Sequence, residues 1–183
     1  MSEAASVAGD ERLRLFLALR LPDDVLDEIE RWQRAEVPNV RVVPRDHLHV
    51  TLAFLGHRPS GELGAIVGEL REAAAGTGEI RFTPVRYRET PSVGMLVLED
   101  EGGRAASLAV DLHERLERLG VYERERRVWL PHLTVIRFRH RPRLEPALPE
   151  LGPFVTSDAA VYMSTLRPSG AQYSILESVG VGR

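Results

Sequence analysis

Apolar positions along the chain recur with two different periods, and the switches between them mark out the elements. Residues 13–19 form a short apolar run stopped by Pro22, which predicts a buried strand. Pro22-Asp23-Asp24 then opens a helix with acidic residues in its first turn, where the helix dipole favours them. Val25, Leu26, Ile29 and Trp32 give that helix one apolar face, and Pro38-Asn39 ends it. Residues 40–43 read as a short extended piece, and residues 48–55 as a strong strand closed by Gly56. A second helix carries Leu63, Ile66, Val67 and Leu70 on one stripe and stops at Gly76-Thr77-Gly78. Strands follow at 80–87 and 93–98. A third helix then repeats Leu108, Leu112, Leu116 and Leu119 before Gly120, a natural C-terminal cap. Residues 128–138 predict a strand bent at Pro131. A Pro- and Arg-rich loop over 139–153 leads to closing strands at 159–165 and 172–177.

Strands interleaved with three helices and no long linker predict one α/β domain over residues 1–183, with 1–11 a flexible N-terminal tail. There is also an internal echo. One strand-helix-strand unit ends in His49-Val50-Thr51, and a later one ends in His132-Leu133-Thr134. Two related lobes meeting across a groove account for it most economically.

Composition narrows the chemistry. The 24 basic residues are all arginine, since lysine is absent, and there is no cysteine. Without lysine there is no phosphate-loop lysine, no Schiff base and no lysyl-adenylate. Without cysteine there is no disulfide and no thiolate metal site. Neither histidine pair has the His-x-x-x-His spacing of a helical zinc site, so no metal and no cofactor are expected. No apolar run is long enough to span a bilayer, and the N-terminus does not read as a secretion signal. A cytoplasmic monomer without membrane contact is the expectation.

On a strand, positions i and i+2 share a face, so His49 projects with Thr51 and His132 with Thr134. Val50, Leu52, Leu133 and Val135 then face a packed interior. Chance gives roughly 0.2 His-x-Thr matches in a chain of this composition, so the pair is more telling than either motif alone. Two imidazoles with ordinary pKa near 6.5 supply one base and one acid at neutral pH, and two hydroxyls can hold phosphate oxygens. That is the equipment for metal-free phosphoryl transfer.

The segments His49-Val50-Thr51-Leu52-Ala53-Phe54-Leu55-Gly56 and Pro131-His132-Leu133-Thr134-Val135-Ile136-Arg137 resemble the two signature motifs of the 2H phosphoesterases. The likeness is nearest to the bacterial RNA 2′,3′-cyclic phosphodiesterases, also called LigT-like or 2′-5′ RNA ligases. Arg14-x-Phe16-x-Ala18 and Ser164-x-Leu166-x-Pro168-x-Gly170-x-x-Tyr173 are similar to that family as well. The chain departs from the pattern at Val42 and Val97, where the family has tryptophan.

The resemblance implies a two-lobed, pseudo-symmetric α/β (α+β) fold with antiparallel-rich sheets lining a central cleft and helices outside. It implies hydrolysis of RNA 2′,3′-cyclic phosphate ends, or of small cyclic nucleotides, to 2′-phosphomonoesters. His49 would be the acid toward O3′ and His132 the base toward water. Thr51, Thr134 and Arg137 would bind the phosphate, and Phe16 would stack on the terminal base. On a regular strand Arg137 points away from His132, so a bulge, a strand end or a reach around the edge must bring it back.

Two other readings share these residues. One is ATP-independent 2′-5′ RNA ligation at the same site, and the other is a non-catalytic RNA- or nucleotide-binding module. The arginine runs at 124–127 and 137–143 are candidate RNA contacts. His47, His57, His113 and His140 read as ordinary surface residues.

Overall fold

The structure is a computed structural model and describes residues 11–182. The tail expected at 1–11 lies outside the described residues apart from Glu11, whose carbonyl accepts the Ser60 amide at 2.8 Å.

The described residues form nine strands and three α-helices. The first sheet has the order β3-β1-β8-β9, with β1 Arg12–Leu19, β3 Val50–Pro59, β8 Asp158–Arg167 and β9 Gly170–Gly180. The second has the order β2-β6-β5-β4-β7, with β2 Arg41–Val42, β4 Arg81–Glu89, β5 Val93–Asp100, β6 His132–Arg137 and β7 Phe154–Val155. Every strand pair in both sheets is antiparallel. The helices are α1 Asp23–Glu36, α2 Leu63–Ala75 and α3 Arg104–Leu119, the last ended by Gly120 at φ 78°. This is the two-sheet architecture that the motifs implied.

The predicted helical stripes are the buried ones. Val25, Ile29 and Trp32 on α1, Ile66, Val67 and Leu70 on α2, and Leu108, Leu112 and Leu116 on α3 all lie in one core with strand residues from both sheets. Leu119, counted in the α3 stripe, is partly exposed at the helix end.

The main departures from the reading of the sequence are at β3, β6 and β7. β3 does not stop at Gly56. With a φ of 68°, this glycine pairs with Leu15 while Phe54 pairs with Phe16, leaving Leu55 as an extra residue, and the strand continues to Pro59. The glycine is a bulge, not a stop. β6 begins at His132 rather than at 128, because Pro131 has no N–H to give a ladder and offers only its carbonyl, to the Leu98 amide at 3.0 Å. Val128 is 91 % exposed accordingly. β7 lies outside every predicted element, since its two residues carry no period.

The helices cross between the sheets. β1 and β3 are neighbours in the first sheet, yet α1 between them packs against the second. Trp32 Nε1 donates to the Ala147 carbonyl at 2.6 Å and Gln33 reaches β6. Conversely, β5 and β6 are neighbours in the second sheet, while α3 between them packs on α2 and touches β3 as well as β5.

Glu89 on β4 anchors the loop that follows β6. Its carboxylate accepts from Tyr87 OH at 3.0 Å, Arg141 Nε at 3.1 Å, and the Arg143 and Leu144 amides at 3.0 and 2.8 Å. Burial pushes its pKa up, but these donors outweigh that and hold it below the ordinary range. A depressed carboxylate contributes stability above its unfolded pKa of about 4.3, and that contribution is lost as pH falls through the lower folded value. Glu89→Gln is therefore expected to cost about 2–4 kcal/mol in urea unfolding at pH 7 and to weaken the loss of stability below pH 4.3. An unchanged midpoint at pH 7 would count against this anchor.

Candidate active site

The two sheets enclose a cleft of about 220 Å³ lined by residues of both. His49, Thr51, His132, Thr134, Arg137 and Phe16, all singled out from the sequence, line it together. Val50, Leu52, Leu133 and Val135 point the other way and are at most 1 % exposed, as alternation along the strands requires.

The two histidines are held alike. His49 Nδ1 donates to the carbonyl of His47 at 2.8 Å, and His132 Nδ1 donates to the carbonyl of Leu130 at 2.8 Å. Each partner lies two residues upstream and only accepts, so the proton of the neutral ring sits on Nδ1 and Nε2 is left free for chemistry. In the first motif Nε2 accepts the Thr51 hydroxyl at 3.0 Å. Trp129, three residues before His132, donates its indole N–H to the Thr51 carbonyl at 3.0 Å and ties the two motifs together.

Arg137 reaches the cleft through a bulge. Gly94 pairs with Ile136 while the next residue, Met95, pairs with Thr134, so Val135 is the extra residue. Val135 and Ile136 are both buried in succession, the alternation slips by one, and Arg137 returns to the side of His132 and Thr134. The first motif slips at the same place. Ala53 pairs with Leu17 and Thr51 with Ala18, leaving Leu52 extra and bringing Phe54 into the cleft. The position three past each threonine is thus a cation in one lobe and an aromatic in the other.

Each bulge is braced from behind by a buried polar side chain. His113 on α3 donates from Nε2 to the Leu52 carbonyl at 2.7 Å. Gln33 on α1 donates to the Val135 carbonyl at 2.9 Å and to that of Val43 at 3.0 Å. His113 is therefore a core residue, contrary to its reading as a surface histidine. Its signal was present, since it lies one helical turn after Ala109 on the buried side of α3. His47 is corrected too. It lines the cleft with its ring stacked on Tyr173, centroids 4.1 Å apart.

Phe16 lies in the cleft floor and is 4 % exposed, stacked on Tyr162 at 4.8 Å and 4.9 Å from the His49 ring. Little of its ring remains open to a base, whereas Tyr173 is only half-buried. Of the arginine runs, Arg124 pairs with Glu117 and Arg127 with Glu125. Arg141 is taken by Glu89, so only part of the second run is available.

Burial lowers the pKa of His49 to about 4, and the positive charges of His132, His47 and Arg137 act in the same direction, against the His47 carbonyl. Burial likewise lowers His47. Among the described residues no three His, Asp or Glu side chains gather as a metal site, and no helix is long and apolar enough to cross a membrane.

Relatives with known names share this framework. A Thermus thermophilus protein named RNA 2′,3′-cyclic phosphodiesterase is 30 % identical over 90 % of this chain and 88 % of its own. One of the same name from Methanocaldococcus jannaschii is 22 % identical over 90 % of this chain and 99 % of its own. Among solved structures, Escherichia coli LigT complexed with 3′-AMP superposes with a TM-score of 0.80, covering 94 % of this chain and 100 % of its own at 22 % identity. A Thermus thermophilus structure superposes at 0.77, with 29 % identity over 92 % of this chain and 98 % of its own. The family model described as the 2′-5′ RNA ligase superfamily matches residues 21–164, both His-x-Thr strands included, and the chain belongs to that superfamily.

Proposed function

We propose that this protein hydrolyses RNA 2′,3′-cyclic phosphate ends to 2′-phosphomonoesters without a metal. The observation that carries the reading is the matched tautomer of His49 and His132, each locked through Nδ1 with Nε2 available in one cleft. In this reading Nε2 of His132 takes a proton from water as its oxygen attacks phosphorus. The P–O3′ bond breaks, and Nε2–H of His49 delivers a proton to O3′. Thr51, Thr134 and Arg137 hold the non-bridging oxygens, and Tyr173 on His47 offers the terminal base a stacking surface. The names of the relatives support the substrate. An oligonucleotide with a 2′,3′-cyclic end, incubated with the protein in EDTA, is expected to yield the 2′-phosphate. The absence of that product would overturn the reading.

With a pKa of about 4, His49 enters the reaction neutral and must acquire its proton as the substrate arrives. A phosphate anion opposes the burial and positive charge that lower it, so its pKa rises on binding. Between the two values binding takes up a proton, and affinity falls as pH rises through the bound value. Binding of 2′,3′-cyclic AMP to the His132→Ala variant, followed by calorimetry in buffers of different ionisation enthalpy, is expected to show this uptake between pH 5 and 7. The His49→Asn, His132→Ala double variant should lack it. No uptake in the single variant would reverse the roles and make His49 the base.

A further inference from the structure

Arg14 is a cation in the cleft that the reaction above does not use. It is half-buried on β1 and donates from Nη1 to the hydroxyl of buried Ser164 at 2.9 Å. Its guanidinium carbon lies 4.7 Å from the centre of the Phe54 ring. Among the described residues no carboxylate pairs with it, and a half-buried charge without a counter-ion favours an arriving anion. Ala18 lies opposite Thr51 and Phe16 opposite Phe54. Arg14 is four residues along β1 from the level of Thr51, ~13 Å of backbone at strand spacing, and its guanidinium is held at that end of the shared cleft by Ser164 and Phe54.

Phe54 is 49 % exposed, an open ring face beside that cation. Phe54 also lines a second depression of about 430 Å³, together with Leu55, Val121 and Tyr122. The arginine at that depression, Arg58, is clamped by both oxygens of Glu62 at 2.7 and 2.9 Å. Glu123 on its rim repels phosphate. The depression therefore suits an uncharged base and sugar, and Arg14 suits a phosphodiester.

We propose that Arg14, Phe54 and this depression bind the nucleotide preceding the cyclic end, so that the protein acts on RNA ends in preference to free cyclic mononucleotides. The inference rests on the cyclic phosphodiesterase reading. Its test compares kcat/KM for a diadenosine dinucleotide ending in a 2′,3′-cyclic phosphate with that for 2′,3′-cyclic AMP. The native protein should prefer the dinucleotide by about tenfold or more. Arg14→Met and Phe54→Leu should each lose roughly tenfold on the dinucleotide and less than about twofold on the mononucleotide. An equal loss on both substrates assigns these residues to the terminal nucleotide and overturns the proposal, as does no loss on either. If neither substrate is hydrolysed, the cyclic phosphodiesterase reading fails by itself. Affinity for a 2′-phosphate-ended dinucleotide against 2′-AMP, compared between the native protein and Arg14→Met, then decides the subsite: a native preference that Arg14→Met abolishes supports it, and equal affinities overturn it.

Discussion

His132→Ala is expected to lower kcat for cyclic-phosphate hydrolysis by ~10²–10⁴-fold, and His49→Ala by a similar factor. Each ring is held through Nδ1 by a backbone carbonyl, and alanine removes the Nε2 that it presents to the cleft. Thr51, Thr134 and Arg137 remain in either variant, so KM should change far less than kcat. The double variant should be little worse than the poorer single one, because acid and base act in one concerted displacement. Steady-state kinetics on one cyclic-phosphate substrate measure all four proteins, with far-UV circular dichroism to show that the fold persists. A loss below tenfold in either single variant would show that its imidazole handles no proton in the rate-limiting step.

The second large effect concerns Arg137 and the residue that places it. Removing the guanidinium with Arg137→Ala takes away a charged donor to the phosphate and should lower kcat/KM by ~10²–10³-fold. Gln33→Leu should move in the same direction by ~10–100-fold, although Gln33 lies in the core behind the cleft. Its amide supplies both the Val135 and the Val43 carbonyl, and without it the bulge loses the bond that favours it over regular pairing. Regular pairing turns Arg137 to the opposite face. The decisive measurement is the double variant. If Gln33 acts through Arg137, adding Gln33→Leu to Arg137→Ala should cost almost nothing further in kcat/KM. Multiplying losses would mean that Gln33 acts on the site by a route other than Arg137.

The parts of the site that follow strict strand periodicity were legible in the sequence. His49 with Thr51 and His132 with Thr134 share a face because two residues separate them, and their apolar neighbours reported the buried side. Bulges were not legible. Leu52-Ala53 and Val135-Ile136 are consecutive apolar pairs that read as ordinary strand interior, and only pairing to Leu17, Ala18, Gly94 and Met95 reveals the extra residue. The same limit explains Gly56, whose left-handed backbone suits a turn and a bulge equally. Tyr173 and Arg14 stood in recognisable segments, but β8 and β9 join β1 from the far end of the chain. No local pattern announces that meeting. The core role of Gln33 is likewise a matter of what α1 lands on.

The crossed helices give the catalytic strands a mutual dependence. His113 braces the bulge of β3 from the helix that leads into β6, and Gln33 braces the bulge of β6 from the helix that leads toward β3. Each of these two helices therefore supports the partner unit's catalytic strand, as the exchanged arms of a domain-swapped dimer do. Here the exchange is written into a single polypeptide. Such a molecule is spliced rather than hinged: one lobe cannot swing open without dragging the other's catalytic strand. The spacing of the two imidazoles is a property of the whole fold, and neither unit expressed alone should form half a site.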